Sequence, residues 1–213
     1  MSDDQNKAQG GSAASSDEER EAKRKAAAEA RAARAAAKAA ASEAEAQEPE
    51  SKPPSPRQGE LDGIVALLKR EIGEEAVVEA GINQLNGDMP IVEVRSGHWP
   101  EAARLLKEHG DMNYRYLRNV SGVDYESHLE VVYCLLSLDS GRDCAVKVKT
   151  DRTAPSIPSV TPLWSAANWN EREIFDLLGI DFPGHPDLRR IMMPDDWDGH
   201  PLRKDYIPLD PEV

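Results

Sequence analysis

The chain has 213 residues, a formal charge of −13 and only 5 % aromatic residues. Such a surface repels a nucleic-acid backbone unless its basic residues gather on one face. The two cysteines, Cys134 and Cys144, form no CxxC pair, which argues against iron–sulfur ligation or a structural disulfide and suits a reducing compartment.

Residues 1–58 stand apart in composition. Alanine runs are interleaved with Glu, Lys and Arg, a Pro-rich SKPPSPR follows, and no Leu, Ile, Val or aromatic residue occurs before Leu61. With so little to bury, the segment cannot offset the roughly 1–2 kcal/mol per residue that ordering a backbone costs. It is expected to be a disordered or partly helical extension. It holds 11 acidic and 10 basic residues, so the negative charge resides in 59–213, with 28 acidic and 16 basic. The opening MSDDQNK is acidic and polar, so no secretory or transit signal is expected there. The longest aliphatic–aromatic run, VVYCLL at 131–136, is far short of the roughly 20 residues that span a bilayer. Membrane association is expected only through a partner.

Beyond residue 58 the elements are legible in order. GELDGIVALLKREIG carries Leu61, Ile64, Val65, Leu68 and Ile72 at helical spacing, with Gly73 placed to stop it. Two short strands are predicted at Ala76–Val78 and Pro90–Val94, with Gly81, Asn86 and Gly87 turning the chain between them. A second helix is predicted from Trp99 or Pro100 to His109, with Leu105 and Leu106 facing a core and Gly110 at its end. Strand-like segments follow at 113–120, 128–138 and 144–150, the last two joined by Ser140-Gly141-Arg142. The 144–150 segment alternates Ala145/Lys147/Lys149 against Val146/Val148/Thr150, one face solvated and one buried.

The predicted fold class is α+β: helices packed on one face of a mainly antiparallel sheet, followed by a C-terminal helix and an extended irregular arm. The body spans 59–152 and a Pro-marked linker with its helix spans 153–179. That helix is read from TPLWSAANWNEREIFDLLGI, with Thr161 as its cap, Pro162 in its first turn and Gly179 at its close. Arg172 and Asp176, four apart, can pair along it. The arm, 180–213, has no periodicity.

Within the arm, GHP occurs at 184–186 and again at 199–201, each followed by a leucine and two basic residues, around Asp195, Asp196 and Asp198. A free-standing metal-dependent enzyme using His185, His200 and these carboxylates is one reading. Each histidine lies in a Gly–Pro turn, and no closed ligand set such as HExxH accompanies them. No GxSxG, GxGxxG or P-loop occurs, Cys134 sits in an apolar strand, and Glu171 and Glu173 diverge on a helix. Arg172, Arg189, Arg190 and Arg203 with Trp164, Trp169, Trp197 and Tyr206 have the composition of a protein–protein contact.

Three linked segments carry a resemblance: EREIFDLLGI at 171–180, GHPDLRRI at 184–191 and GHPLRKDY at 199–206. In this order they resemble the signature of the 30 kDa subunit family of respiratory complex I, the proton-translocating NADH:quinone oxidoreductase. Leu178 stands where that family often has an aromatic residue. The resemblance implies a cofactor-free member of the peripheral arm on the cytoplasmic side of a bacterial inner membrane. It would brace the quinone-reducing module against a large hydrogenase-like subunit and neighbouring iron–sulfur subunits. FMN, the iron–sulfur clusters and quinone would be bound by those partners. No residue of this chain would be catalytic, cofactor-binding or metal-ligating. The docking residues would be Glu171, Arg172, Glu173, Asp176, Gly179, His185, Arg189, Arg190, Trp197, His200, Arg203, Lys204, Asp205 and Tyr206. Arg190, Arg203 and Lys204 are expected to reach partner carboxylates or carbonyls. An equivalent subunit of an energy-converting hydrogenase or of another quinone reductase would share this docking logic.

Overall fold

The structure is a computed structural model and describes residues 55–207. The reading of 1–58 as an extension therefore falls almost wholly outside the described residues, as does the end of the arm beyond residue 207. Of its last residues, Arg57 bonds Glu60 and Asp143, and helix α1 begins at the next position.

Helix α1, Gln58–Glu71, buries Leu61, Ile64, Leu67 and Leu68 on one face. Gly73, at φ +138°, ends it as expected. Strand β1, Val77–Asn83, and strand β2, Met89–Val94, form an antiparallel hairpin. Gly81 does not turn the chain; it lies within β1 opposite Ile91. The reversal comes later, where Gly87 and Asp88 take left-handed backbone angles. Helix α2, Trp99–Glu108, buries Trp99, Ala102, Ala103 and Leu106, and its last turn is closed by the His109 N–H on the Leu105 carbonyl. The left-handed residue after it is Asn113, at φ +53°, rather than Gly110.

Strands β3 (Tyr116–Asp124), β4 (Leu129–Leu136) and β5 (Asp143–Thr150) complete a five-stranded sheet of order β1-β2-β5-β4-β3. All neighbours are antiparallel except β2 and β5, which run parallel. A parallel pair requires a long crossover, here supplied by α2, β3 and β4. Gly141, at φ +69°, turns the β4–β5 hairpin.

One sheet face carries Val92, Leu129, Val131, Tyr133, Leu135, Val146 and Val148, all buried with the apolar residues of the helices. Trp99 of α2 lies against Tyr133, ring centroids 4.4 Å apart. At about 1.5–3 kcal/mol per buried large apolar side chain, this layer is the main stabilising term. The opposite face carries Lys149 paired with Glu93 at 2.6 Å and Lys147 paired with Glu130 at 3.3 Å; Lys149 is exposed as expected of β5, whereas Ala145, Glu93 and Glu130 are buried.

The linker does not run freely. Ile157 donates to the Asp181 carbonyl, Asp181 to the Pro155 carbonyl and Ser159 to the Pro183 carbonyl. Ile157, Val160, Ile180 and Phe182 are buried, and the segments that precede and follow helix α3 run side by side. Helix α3 spans Ala167–Leu178, starting five residues beyond Pro162. Residues 160–166 are turns, with the Leu163 and Trp164 N–H groups both on the Val160 carbonyl. Thr161 does not cap α3; its hydroxyl bonds Glu171 instead. Among the described residues no helix is long and apolar enough to cross a membrane.

Candidate functional site

Helix α3 lies over β3, and Gly122 is the point of contact. A Cβ there would sit 2.4 Å from Leu178 Cδ1 and 3.1 Å from Ile174 Cγ2. From this seat the helix offers two carboxylates to the segments on either side of it in sequence.

Glu171 is fully buried and faces the linker. Its Oε1 accepts the Val160 N–H at 2.8 Å; its Oε2 accepts the Ser159 hydroxyl at 2.5 Å and the Thr161 hydroxyl at 2.9 Å. Burial outweighs these three donors and raises the Glu171 carboxyl above the ordinary glutamate value. An acid whose folded pKa is raised favours the native state most while protonated. Its cost appears as pH climbs through the folded value. Glu171→Gln is therefore expected to match wild-type stability near pH 4 and to exceed it at neutral pH. Urea midpoints at the two pH values check this, and a wild type that gains on the variant with rising pH would reverse it.

Asp176, also fully buried, faces the arm. Its Oδ2 accepts three consecutive backbone N–H groups, from Ile191 (2.9 Å), Met192 (2.7 Å) and Met193 (2.9 Å). Its Oδ1 accepts Arg190 Nη1 at 2.7 Å. Burial alone would raise this carboxyl, but the three N–H groups and the guanidinium overcome it and hold it below the usual aspartate range. The expected Arg172–Asp176 pair does not form. Arg172 turns to the carbonyls of Arg189 (3.2 Å) and Arg190 (3.5 Å), with its guanidinium 5.4 Å from the Trp169 ring centroid.

The two GHP turns have separate tasks. His185 Nε2 donates to the Asn168 carbonyl at 3.2 Å while its Nδ1 accepts the Asp187 N–H, so its partners fix one neutral tautomer. His200 Nδ1 lies 2.9 Å from the Asp176 carbonyl, its ring packed over Gly179. Asn168 and Asp176 are eight residues apart, about 12 Å along the helix axis. The two imidazoles thus serve opposite ends of α3 and cannot share one ion. The structure does not bring together the two histidines that the metal reading paired, and Asp195, Asp196 and Asp198 are exposed.

A helix leaves its last four carbonyls without intrahelical partners, and the second GHP segment supplies most of what α3 lacks. The Phe175 carbonyl takes the Gly179 N–H; the Asp176 carbonyl takes His200 and Arg190; the Leu177 carbonyl takes the Leu202 N–H at 3.0 Å; the Leu178 carbonyl takes Arg203 Nε at 2.7 Å. Two guanidinium groups at the helix C-terminus also complement its dipole. Arg190 closes the loop on the carbonyls of Trp197 (3.1 Å) and Gly199 (3.2 Å). GHPLRK is thus a helix cap, and Arg190 and Arg203 are directed into their own chain.

Residues 204 and 205 of the arm are tied to the end of β3 and to Arg152. Asp124, buried at the end of β3, accepts Arg152 (3.0 and 3.2 Å), the Lys204 N–H (3.0 Å) and the Glu126 N–H (2.8 Å). Arg152 also holds Asp205 at 2.6 Å, and Lys204 Nζ lies 3.5 Å from Glu126. Although burial acts against it, Arg152 and the two N–H groups bring the Asp124 carboxyl down to about 2. This depressed value stabilises the native state above the ordinary aspartate pKa. The contribution of roughly 2 kcal/mol is lost as pH falls from about 5 to about 1, through the folded value. Asp124→Asn is expected to remove that part of the acid dependence, as a wild-type-minus-variant stability difference that shrinks as pH falls through about 2. A difference independent of pH would contradict it.

Of the other residues singled out by sequence, Arg189 is exposed and pairs with Asp187 at 2.9 Å. Glu173 is exposed on α3, Trp197 is half-buried, and Tyr206 is half-buried with its ring on Gly199. Sequence reasoning missed Asp124, Arg152 and Ser159. An aspartate two residues before a turn N–H is a readable signal for Asp124; Arg152 has no local signal, because its partners are 28 and 53 residues away.

Four large apolar side chains on the helix and the arm are exposed: Trp169 is 67 % exposed, Met192 62 %, Leu202 58 % and Ile207 71 %. Scattered single apolar residues mean little; four on one rigidly clasped helix and strap suggest a contact surface.

Comparison with known proteins agrees with the motifs. The family model described as respiratory-chain NADH dehydrogenase, 30 Kd subunit, matches residues 92–212. The C subunit of NADH-quinone oxidoreductase from Roseiflexus castenholzii is 47 % identical over 135 residues, 62 % of this chain and 76 % of that protein. Its counterpart from Mycolicibacterium smegmatis is 36 % identical over 160 residues, 72 % of this chain and 66 % of that protein. A chain of the membrane-bound sulfane sulfur reductase, an archaeal respiratory membrane complex, superposes with a TM-score of 0.57 at 23 % identity. That match covers 71 % of this chain and 87 % of that one, and it is a likeness of fold. With the signature segments folded as cap and clasp and the family model spanning most of the described body, the chain belongs to the 30 kDa subunit family of respiratory-chain NADH dehydrogenase, the C subunit of NADH-quinone oxidoreductase.

Proposed function

We propose that this chain is a cofactor-free brace in the peripheral arm of NADH:quinone oxidoreductase, on the cytoplasmic side of a bacterial inner membrane. Electrons would pass from NADH through FMN and iron–sulfur clusters to quinone entirely within neighbouring subunits. This chain would hold the quinone-reducing module in place by docking on its large hydrogenase-like subunit.

The observation that carries this reading is the use of the signature residues. Glu171, Asp176, His185, Arg190, His200 and Arg203 all bond within the chain. What they build is a stiff α3–strap unit with Trp169, Met192, Leu202 and Ile207 facing outward. Docking residues named from sequence thus act mostly by fixing the surface that docks. A pre-ordered surface loses less conformational entropy on association than a free arm does.

Purification from native membranes through a tag on this chain tests the proposal. Flavin, iron and NADH:quinone activity should co-purify with the intact assembly, and all three should be lost when this chain is separated from its partners. Flavin or iron retained stoichiometrically by the separated chain would refute it.

A further inference from the structure

We infer that the groove between β3 and α3 receives an extended segment of a partner polypeptide, which adds as a sixth strand beside β3. This rests on the chain working inside an assembly, and it concerns the edge of β3, where the strap contributes Leu202 alone.

Among the described residues the sheet ends at β3, whose one strand partner is β4. An edge strand presents alternate N–H and C=O groups outward, ready to pair. No backbone hydrogen bond from another described element reaches residues 119–123. The edge is blunted at its start by a bulge at Arg118, between Leu117 and Asn119, and runs in regular register from Asn119 to Asp124. Along this regular stretch lies a groove of about 280 Å³, with residues 119–122 on one wall and Ile174, Leu177, Leu178 and Leu202 on the other. Four consecutive residues of the edge strand line it.

The chemistry of the groove selects the occupant. The backbone edge calls for an extended chain, and the aliphatic wall calls for apolar side chains at alternate positions. Glu173, exposed on the groove's rim, has no ion-pair partner among the described residues, so a lysine or arginine on the incoming strand completes it. The body's charge of 28 acidic against 16 basic residues favours a basic partner in the same sense. β1, the other edge, serves as the internal control.

Amide hydrogen exchange compares the separated full-length chain with the purified native assembly, with a photo-crosslinker at Ser121 read in parallel. Alternate amides within 119–123 should exchange at least tenfold more slowly in the assembly. The crosslink should fall on one extended, Lys- or Arg-containing segment of another subunit, and Glu173→Lys should reduce that crosslink several-fold. Unchanged exchange at 119–123 in an intact assembly, or a crosslink to a helix, to this chain or to a second copy of it, overturns the inference and leaves the bracing role standing. Failure of the chain to co-purify with any respiratory subunit removes both.

Discussion

Asp176→Ala is expected to destabilise the chain by about 3–5 kcal/mol, the cost of removing one partner from a buried, hydrogen-bonded ion pair. The substitution strands Arg190 Nη1 and the N–H groups of Ile191, Met192 and Met193, all of which converge on this carboxylate. Because Arg190 also gathers the Trp197 and Gly199 carbonyls, the strap should loosen as a unit from residue 189 onward. Two measurements separate global from local loss: the urea midpoint, and the rate of proteolysis within 189–200 under native conditions. Asp176→Asn keeps one acceptor oxygen and should fall between wild type and alanine. Equal stability of all three would mean that the carboxylate does not hold the strap.

Gly179→Ala should cost about 2–3 kcal/mol, from two separable causes. At φ +70° an L-residue is strained by roughly 1–2 kcal/mol. The new Cβ would also lie 2.4 Å from His200 Nε2, so the ring must move and release the Asp176 carbonyl, a hydrogen bond of about 1 kcal/mol. In a His200→Ala background only the backbone strain remains. Gly179→Ala should then cost about 1 kcal/mol less than it does alone, a coupling that a double-mutant cycle reads directly. Strict additivity would show that glycine is required for its backbone angle only, not as the seat of the histidine.

These two residues show where sequence reading succeeds and where it stops. Gly179 was legible as a helix stop because left-handed closure is a local event, and the α1 face and the β5 alternation were legible for the same reason. The order of the sheet was not, since pairing β2 with β5 in parallel depends on a crossover that no local pattern records. Asp176 was recognised as important but given the wrong cation. Arg172 at four residues' distance is the better local partner, yet it is drawn to the 189 and 190 carbonyls and to Trp169, which leaves Asp176 to Arg190. The GHP repeat was visible as a repeat, but its purpose required knowing that both turns return to one helix. Thr161 was misassigned in the opposite way: a threonine before proline has the pattern of a cap, and the buried Glu171 ten residues on claims its hydroxyl.

The bracing role itself makes a sharper demand. Trp169→Ala combined with Met192→Asp alters two exposed side chains, and the Trp169 contact with Arg172 is worth about 0.5–1 kcal/mol at an exposed site, so the unfolding free energy of the chain should stay within about 1 kcal/mol of wild type. If these residues anchor the contact, losing a hot spot of about 2 kcal/mol or more lowers partner affinity about thirtyfold or further. Recovery of flavin- and cluster-bearing subunits on the tagged double variant, from native membranes, is the deciding measurement. The account predicts a folded chain that recovers a small fraction of the wild-type amount; full recovery with normal NADH:quinone turnover would contradict it.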